Sequence, residues 1–191
     1  MMDASRNAPR VAAAVLAMLT ASCAFTRSDV KSLRDADASR IQGNDVVTTS
    51  IAALNAIPSH CGPTGDHRVR EEEFRVYQVI GRIARVKREP DHDIHIVLED
   101  PANPAEHLVV ESDDPTFRGN VKSPYHDRLL AARKSLEELV RESGATDVGE
   151  LRGIVVRVTG VGFFDLNHFQ VGRSRSCIEL HPILEIERVH D

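Results

Sequence analysis

Tryptophan is absent from this 191-residue chain, and tyrosine occurs only twice, so aromatic residues make up 4% of it. A chain so poor in stacking rings, with a formal net charge of −5, lacks both the basic track and the platforms that hold nucleic acid. No nucleic-acid partner is therefore expected. Long apolar runs are missing too. The clearest one, Val11 to Leu19, is nine residues long, well short of the roughly 20 that span a bilayer. The chain has no Gly-x-Ser-x-Gly elbow, no Walker loop and no dinucleotide fingerprint, so the common signatures of nucleophilic and nucleotide chemistry are absent. Cysteine is scarce, with three in all.

Residues 1–23 have the layout of an export signal. Arg6 and Arg10 give the positive start, Val11 to Leu19 the apolar core, and Thr20-Ala21-Ser22-Cys23-Ala24 the small residues of a cleavage site. Two cleavage modes compete. Cys23 after three small residues resembles a lipobox, in which that cysteine becomes a lipidated N-terminus, although Thr20 stands where an aliphatic residue is usual. Cleavage after Ala24 is the alternative. Either places the protein outside the cytoplasm, in the periplasm, tethered to the outer membrane or secreted, with membrane contact only through a lipid at Cys23. Loss of Arg6, Arg10 and Asp3 takes the charge from −5 to −6. Cys61 and Cys177 then remain as an even pair in an oxidising compartment, either bridged or as two buried thiols. A bridge would close a loop of more than a hundred residues, worth about 4 kcal/mol in the chain-entropy model.

Residues 24–45 are polar, charged and without steady period, and read as a flexible tether. Residues 46–72 read as an N-terminal arm with a short helix, in which Thr49 is a candidate N-cap and Ile51, Leu54 and Ile57 share a face before Pro58. The domain proper is expected over 73–191. Residues 74–87 alternate as a long strand with Gly81 in its middle, 94–99 make a second strand and 107–111 a third. A helix follows, with Ser123 as N-cap, Pro124 in the first turn and Gly144 as stop. Residues 153–164 and 177–186 form strands four and five, Gly160 and Gly162 being candidate bulges. A mainly β chain with one helix, in the order β-β-β-α-β-β, predicts an OB-like five-stranded barrel. An open α+β sheet with one helix on a face is the alternative.

Polar residues that bear on chemistry gather near the end. Glu179 and His181 have the same parity on strand five, about 7 Å apart along it. Asp165 and His168 sit in the turn that ends strand four. Carboxylate plus neutral imidazole suits Zn²⁺ or Mn²⁺ better than Ca²⁺, so Asp165, His168, Glu179 and His181 form the candidate metal set. No motif demands a cofactor, and the plainer alternative is that Asp165 and His168 cap a turn while half-exposed Glu179 and His181 pair with Arg157 or Arg173. His95 and Glu111 would extend a site if the polar face is continuous. Asp91-His92-Asp93 is a turn cluster able to hold a cation.

Three blocks, residues 91–111, 160–172 and 178–186, are similar to a family of uncharacterised exported bacterial proteins that carry a VGFFDxxHGQxGxAxNxIELHPV pattern. The resemblance spans roughly residues 60–187 and implies a secreted or envelope domain, barrel-like, with no established activity. By position it carries over His95, Glu111, Asp165, His168, Glu179 and His181. Phe169 and the Arg173–Cys177 stretch depart from the pattern, and Cys177 before Ile-Glu-Leu-His-Pro favours a chain-specific bridge to Cys61. The expected function is a non-catalytic binding module of the cell envelope, its ligand or protein partner unidentified. A metal-dependent hydrolase of phosphodiesterase type, using Asp165, His168, Glu179 and His181, is the alternative.

Overall fold

The computed structural model describes residues 27–62, 65–117, 119–166 and 171–190. The chain is mainly β, as expected. Six strands make one mixed sheet: β1 (Val46–Thr48), β2 (Val76–Arg88), β3 (Ile94–Asp100), β4 (Asn103–Ser112), β5 (Val155–Phe164) and β6 (Ile178–Arg188). Among the described residues three α-helices accompany them: α1 (Ser28–Lys31), α2 (Ile51–Asn55) and α3 (His126–Ser143).

Five of the strands close a ring. The thirteen-residue β2 is antiparallel to β5 through Val76–Arg82 and to β3 through Arg82–Arg88. A strand that serves two partners must coil, and its register slips between Ile83 and Arg85. Gly81 does a different job from the expected bulge. A Cβ there would lie 2.9 Å from Leu98 Cβ and 3.0 Å from Ile51 Cδ1, so its bare backbone admits close packing. β3 continues to β4, β4 meets β6 in a parallel pairing at Val110 and Leu180, and β6 returns to β5. Register shifts at Thr159/Gly160 and Gly160/Gly162 mark the glycine irregularities expected in β5.

One face of these strands builds the main core, with Ile96, Leu98, Val110, Val158, Ile178 and Leu180 all at most 2% exposed. Ile51 and Leu54 of α2, and Leu136 and Leu139 of α3, pack into it. A second apolar cluster of Val76, Leu129, Val161 and Leu184 meets Leu33, Ala38 and Ile41 on the opposite side.

That cluster overturns the flexible-tether expectation. Arg27 to Ile41 is folded against the ring, with Val30 and Leu33 fully buried, and buried ion pairs Arg27–Glu73 and Arg68–Asp35 fix it. The buried apolar residues there are only Val30, Leu33, Ala38 and Ile41, too sparse for a helical or strand period to reveal. Nearby, residues 46–48 pair with β2 as β1, and Ser50, not Thr49, caps α2 by accepting from Ala53 N at 3.1 Å. Ser123 Oγ accepts from Tyr125 N, one turn before α3 begins, so it caps the entry and not the helix. Gly144 ends α3 in the left-handed conformation, φ 71°.

Cys61 and Cys177 form a disulfide with a sequence separation of 116. It pins the arm to the residue before β6, and is consistent with an extracellular or periplasmic protein. No helix among the described residues is long and apolar enough to cross a membrane.

Candidate functional site

Strand alternation sends Leu180 and Val110 into the core and their neighbours to the other face. Glu179 and His181 on β6 therefore share that face with Glu111 on β4, which pairs in register with His95 on β3. Phe163 on β5 stands opposite Glu179. Asp93 and Asp113 lie immediately outside β3 and β4, and Asp165 one residue beyond β5. Five carboxylates and two imidazoles thus gather on the outer side of the ring. The N-terminal segment covers them: Arg27 and Lys31 lie 4.6 and 5.4 Å from the Phe163 ring centroid, and the His181 ring sits tilted at 5.6 Å from it.

The cover makes the site dry. Glu179 and His181 are completely buried and Glu111 is 5% exposed. His95 Nδ1 sits 2.6 Å from Glu111 Oε1 in a hydrogen bond. His181 Nδ1 is 2.9 Å from Glu111 Oε2, and its Nε2 is 2.8 Å from Asp113 Oδ1 and 3.8 Å from Asp93 Oδ2. The first two are close ion-pair contacts of the imidazole, one from each ring nitrogen. Neither oxygen of Glu179 accepts a hydrogen bond. For Glu179 no cation lies within ion-pair distance among the described residues, which is costly for a fully buried carboxylate.

Titration follows that layout. Burial, reinforced by Asp165 and Glu111, holds the Glu179 carboxyl well above the usual carboxylate range. Burial and the neighbouring Asp113 push Asp93 up to about 8. Glu111 goes the other way: its desolvation is outweighed by Lys31 and His181, which hold it well below the ordinary value. For His181, desolvation opposes the charged form, but Glu111 and Asp113 prevail and raise it to about 10. The cluster thus favours a charged His181 imidazole held against the Glu111 carboxylate, beside a Glu179 carboxyl that keeps its proton more readily than usual.

Two sets of three ligand atoms lie within 4.8 Å of one another, Glu111–Glu179–His181 and Asp93–Asp113–His181, sharing the imidazole. Two carboxylates and one histidine make a donor set suited to Zn²⁺ or Mn²⁺. The orphaned Glu179 oxygens are the part of the structure that such an ion would satisfy.

Of the residues expected from the sequence, Glu179 and His181 converge, and His95 and Glu111 join them. Asp165 is an electrostatic neighbour of Glu179 and Lys31. His168 lies outside the described residues. The plainer expectation fails: Glu179 and His181 are not half-exposed, and Arg157 pairs with Glu187 while Arg173 points to Cys177 Sγ. Asp93 was legible only as part of the Asp-His-Asp turn, while Asp113 and Lys31 were missed. Asp113 stands two residues past Glu111 with the same parity, a signal that extending the polar face of strand three would have found. Lys31 had no such signal.

No protein-family profile matches this chain, and a search of curated proteins returned no match. Among solved structures, the chain is similar to an OBody, AM3L09, bound to hen egg-white lysozyme, at 15% identity and a TM-score of 0.37, over 68% of this chain and 99% of that one. It is also similar to apo TiaS, a tRNAIle2 agmatidine synthetase, at 13% identity and a TM-score of 0.27, over 65% of this chain and 31% of that one. Likenesses this distant assign neither family nor activity.

Proposed function

We propose that this protein is an exported, non-catalytic binding module of the bacterial cell envelope, built on an OB-like ring, whose covered outer face holds one divalent transition-metal ion. The cyclic strand order β2-β3-β4-β6-β5, with the helix between β4 and β5, supports the OB-like reading. The signal-like residues 1–23, the candidate lipobox at Cys23, the resemblance to exported bacterial proteins and the disulfide support the envelope. The cation is Zn²⁺ or Mn²⁺, held by Glu111, Glu179 and His181.

The observation that carries this reading is Glu179, fully buried with neither oxygen hydrogen-bonded, within 4.8 Å of ligand atoms of Glu111 and His181. A cation converts that liability into binding energy. Asp113, 2.8 Å from His181 Nε2, would orient the imidazole from behind, as a carboxylate commonly does for a metal-ligating histidine. Burial counts against the hydrolytic alternative. A water-activating metal needs an open coordination position and a path for substrate, and the N-terminal segment lies across this face.

Elemental analysis of protein purified without a histidine tag tests the proposal, paired with thermal shift on adding Zn²⁺ or Mn²⁺. A stoichiometry near one ion per chain and a clear rise in Tm are expected, both lost in Glu179→Gln. Less than about a tenth of an ion per chain, with no thermal shift, ends the cation reading.

A further inference from the structure

Lys31 is the last residue of α1 and reaches the same cluster from the segment that covers it. Its Nζ lies 3.9 Å from Glu111 Oε2, beyond hydrogen-bond distance, and the side chain keeps 21% of its exposure. Burial works against its charge, but Glu111, Asp165, Glu179 and Asp93 hold the ammonium well above its ordinary range. The ammonium is thus held beside Glu111 as an ion pair without a hydrogen bond, in a cluster where Glu179 also lacks one.

We propose that Lys31 is a tethered stand-in for the divalent ion: its ammonium and the metal compete for the negative charge of Glu111, so that loading the ion, with Glu179 giving up its proton to ligate it, expels the Lys31 side chain and loosens the α1 turn. This rests on the cation-site reading. Its physical basis is that two cations cannot share one small, poorly screened set of carboxylates without strong repulsion. Because Lys31 is covalently part of the cover, displacing it transmits cation occupancy to the surface. The change is local. Arg27 remains bound to Glu73, and Arg68 to Asp35, on either side of the turn. Val30 and Leu33, fully buried on each side of Lys31, are the residues whose packing would slacken.

Linkage makes the coupling reciprocal: what the ion does to Lys31, Lys31 does to the ion's affinity. The tests use the mature chain without a tag. Titration calorimetry with Mn²⁺ and Zn²⁺ should show Lys31→Met binding about tenfold more tightly than the parent chain, the direction expected when a competing ligand is removed. A second measurement needs no substitution. Acetylation of Lys31 by an amine-reactive ester, read by mass spectrometry, should quicken several-fold on saturation with Mn²⁺, while exchange-exposed lysines stay unchanged. Equal or weaker metal binding by Lys31→Met, or unaltered Lys31 acetylation in a parent chain that does bind metal, overturns the stand-in and leaves the cation site. Absence of metal binding in both the parent and Lys31→Met removes the site itself and the stand-in with it.

Discussion

Two buried ionic clusters flank the end of β5, and they are built in opposite ways. On one side Glu73 accepts four hydrogen bonds: from Arg27 Nη1 and Nη2 at 2.8 and 2.9 Å, from Val69 N at 2.6 Å and from Phe164 N at 2.8 Å. The pair is bidentate and its carboxylate is complete. On the other side Glu179 accepts none, although its neighbour His181 contacts Glu111 and Asp113 at 2.9 and 2.8 Å. Desolvation is comparable, since Glu73, Glu179 and His181 are each fully buried. Only the partners differ. The first cluster is a clamp that fastens the N-terminal segment, and its hydrogen-bond geometry leaves no unmet demand at the carboxylate. The second leaves one buried carboxyl, Glu179, short of partners, as expected where a ligand is to supply them.

The largest effect should come from breaking the clamp. Glu73→Gln puts an amide where Arg27 Nη2 and Val69 N both donate to Oε2, and it strands the Arg27 charge. Loss of one partner of a buried pair typically costs about 3–5 kcal/mol. Chemical denaturation should register it, with the N-terminal segment becoming protease-sensitive. A loss below about 1 kcal/mol would mean that the two clusters are not different in kind.

A smaller effect separates them by pH. Folding raises Asp93 to about 8 and His181 to about 10, so the folded state binds protons more tightly than the unfolded chain. For a raised group the stabilisation is full below the unfolded value and is lost as pH climbs to the folded one. For Asp93 that window runs from 3.8 to about 8, and for His181 from 6.5 to about 10. The lowered Glu111 acts oppositely and withdraws its contribution only as pH falls below 4.5. The metal-free protein should therefore lose Tm steadily between pH 6 and 9, and Asp93→Asn should flatten the slope below about pH 8. Cation binding runs the other way, because ligands must shed protons, so the Tm gain on adding Mn²⁺ should grow over the same range. A flat metal-free profile would contradict the protonated cluster.

Strand order was readable because period-two alternation survives in β2, β3 and β6, and Gly160, Gly162 and the entry to α3 punctuate it. The bridge between Cys61 and Cys177 was readable from count and compartment. The cover was not. Its burial depends on Arg27, Asp35 and Lys31 finding partners more than 30 residues away, Glu73 and Arg68 ahead of β2 and Glu111 on β4, and polar segments anchored that way look the same in sequence as solvated ones. The parity of β6 also misled. Ile183 joins the main core and Leu184 the outer cluster, because the register slips opposite Gly160. Leu184 therefore faces with Glu179, and the site has an apolar floor that strict alternation would have put on the other side.

The smallest change in stability should come from the group that matters most for binding. With its carboxyl held well above the usual range, Glu179 is biased towards its uncharged form, so Glu179→Gln puts a neutral group of equal size in its place. The metal-free variant should stay within about 1 kcal/mol of the parent in chemical denaturation, and gain on it as pH rises, since the amide cannot ionise beside Asp165 and Glu111. With metal the ranking inverts. At about a hundredfold excess over its dissociation constant an ion stabilises the parent by about 2.7 kcal/mol, and Glu179→Gln should forfeit nearly all of that. If Glu179→Gln instead costs as much as Glu73→Gln without any metal present, Glu179 is a second clamp and its bare oxygens have partners inside the fold.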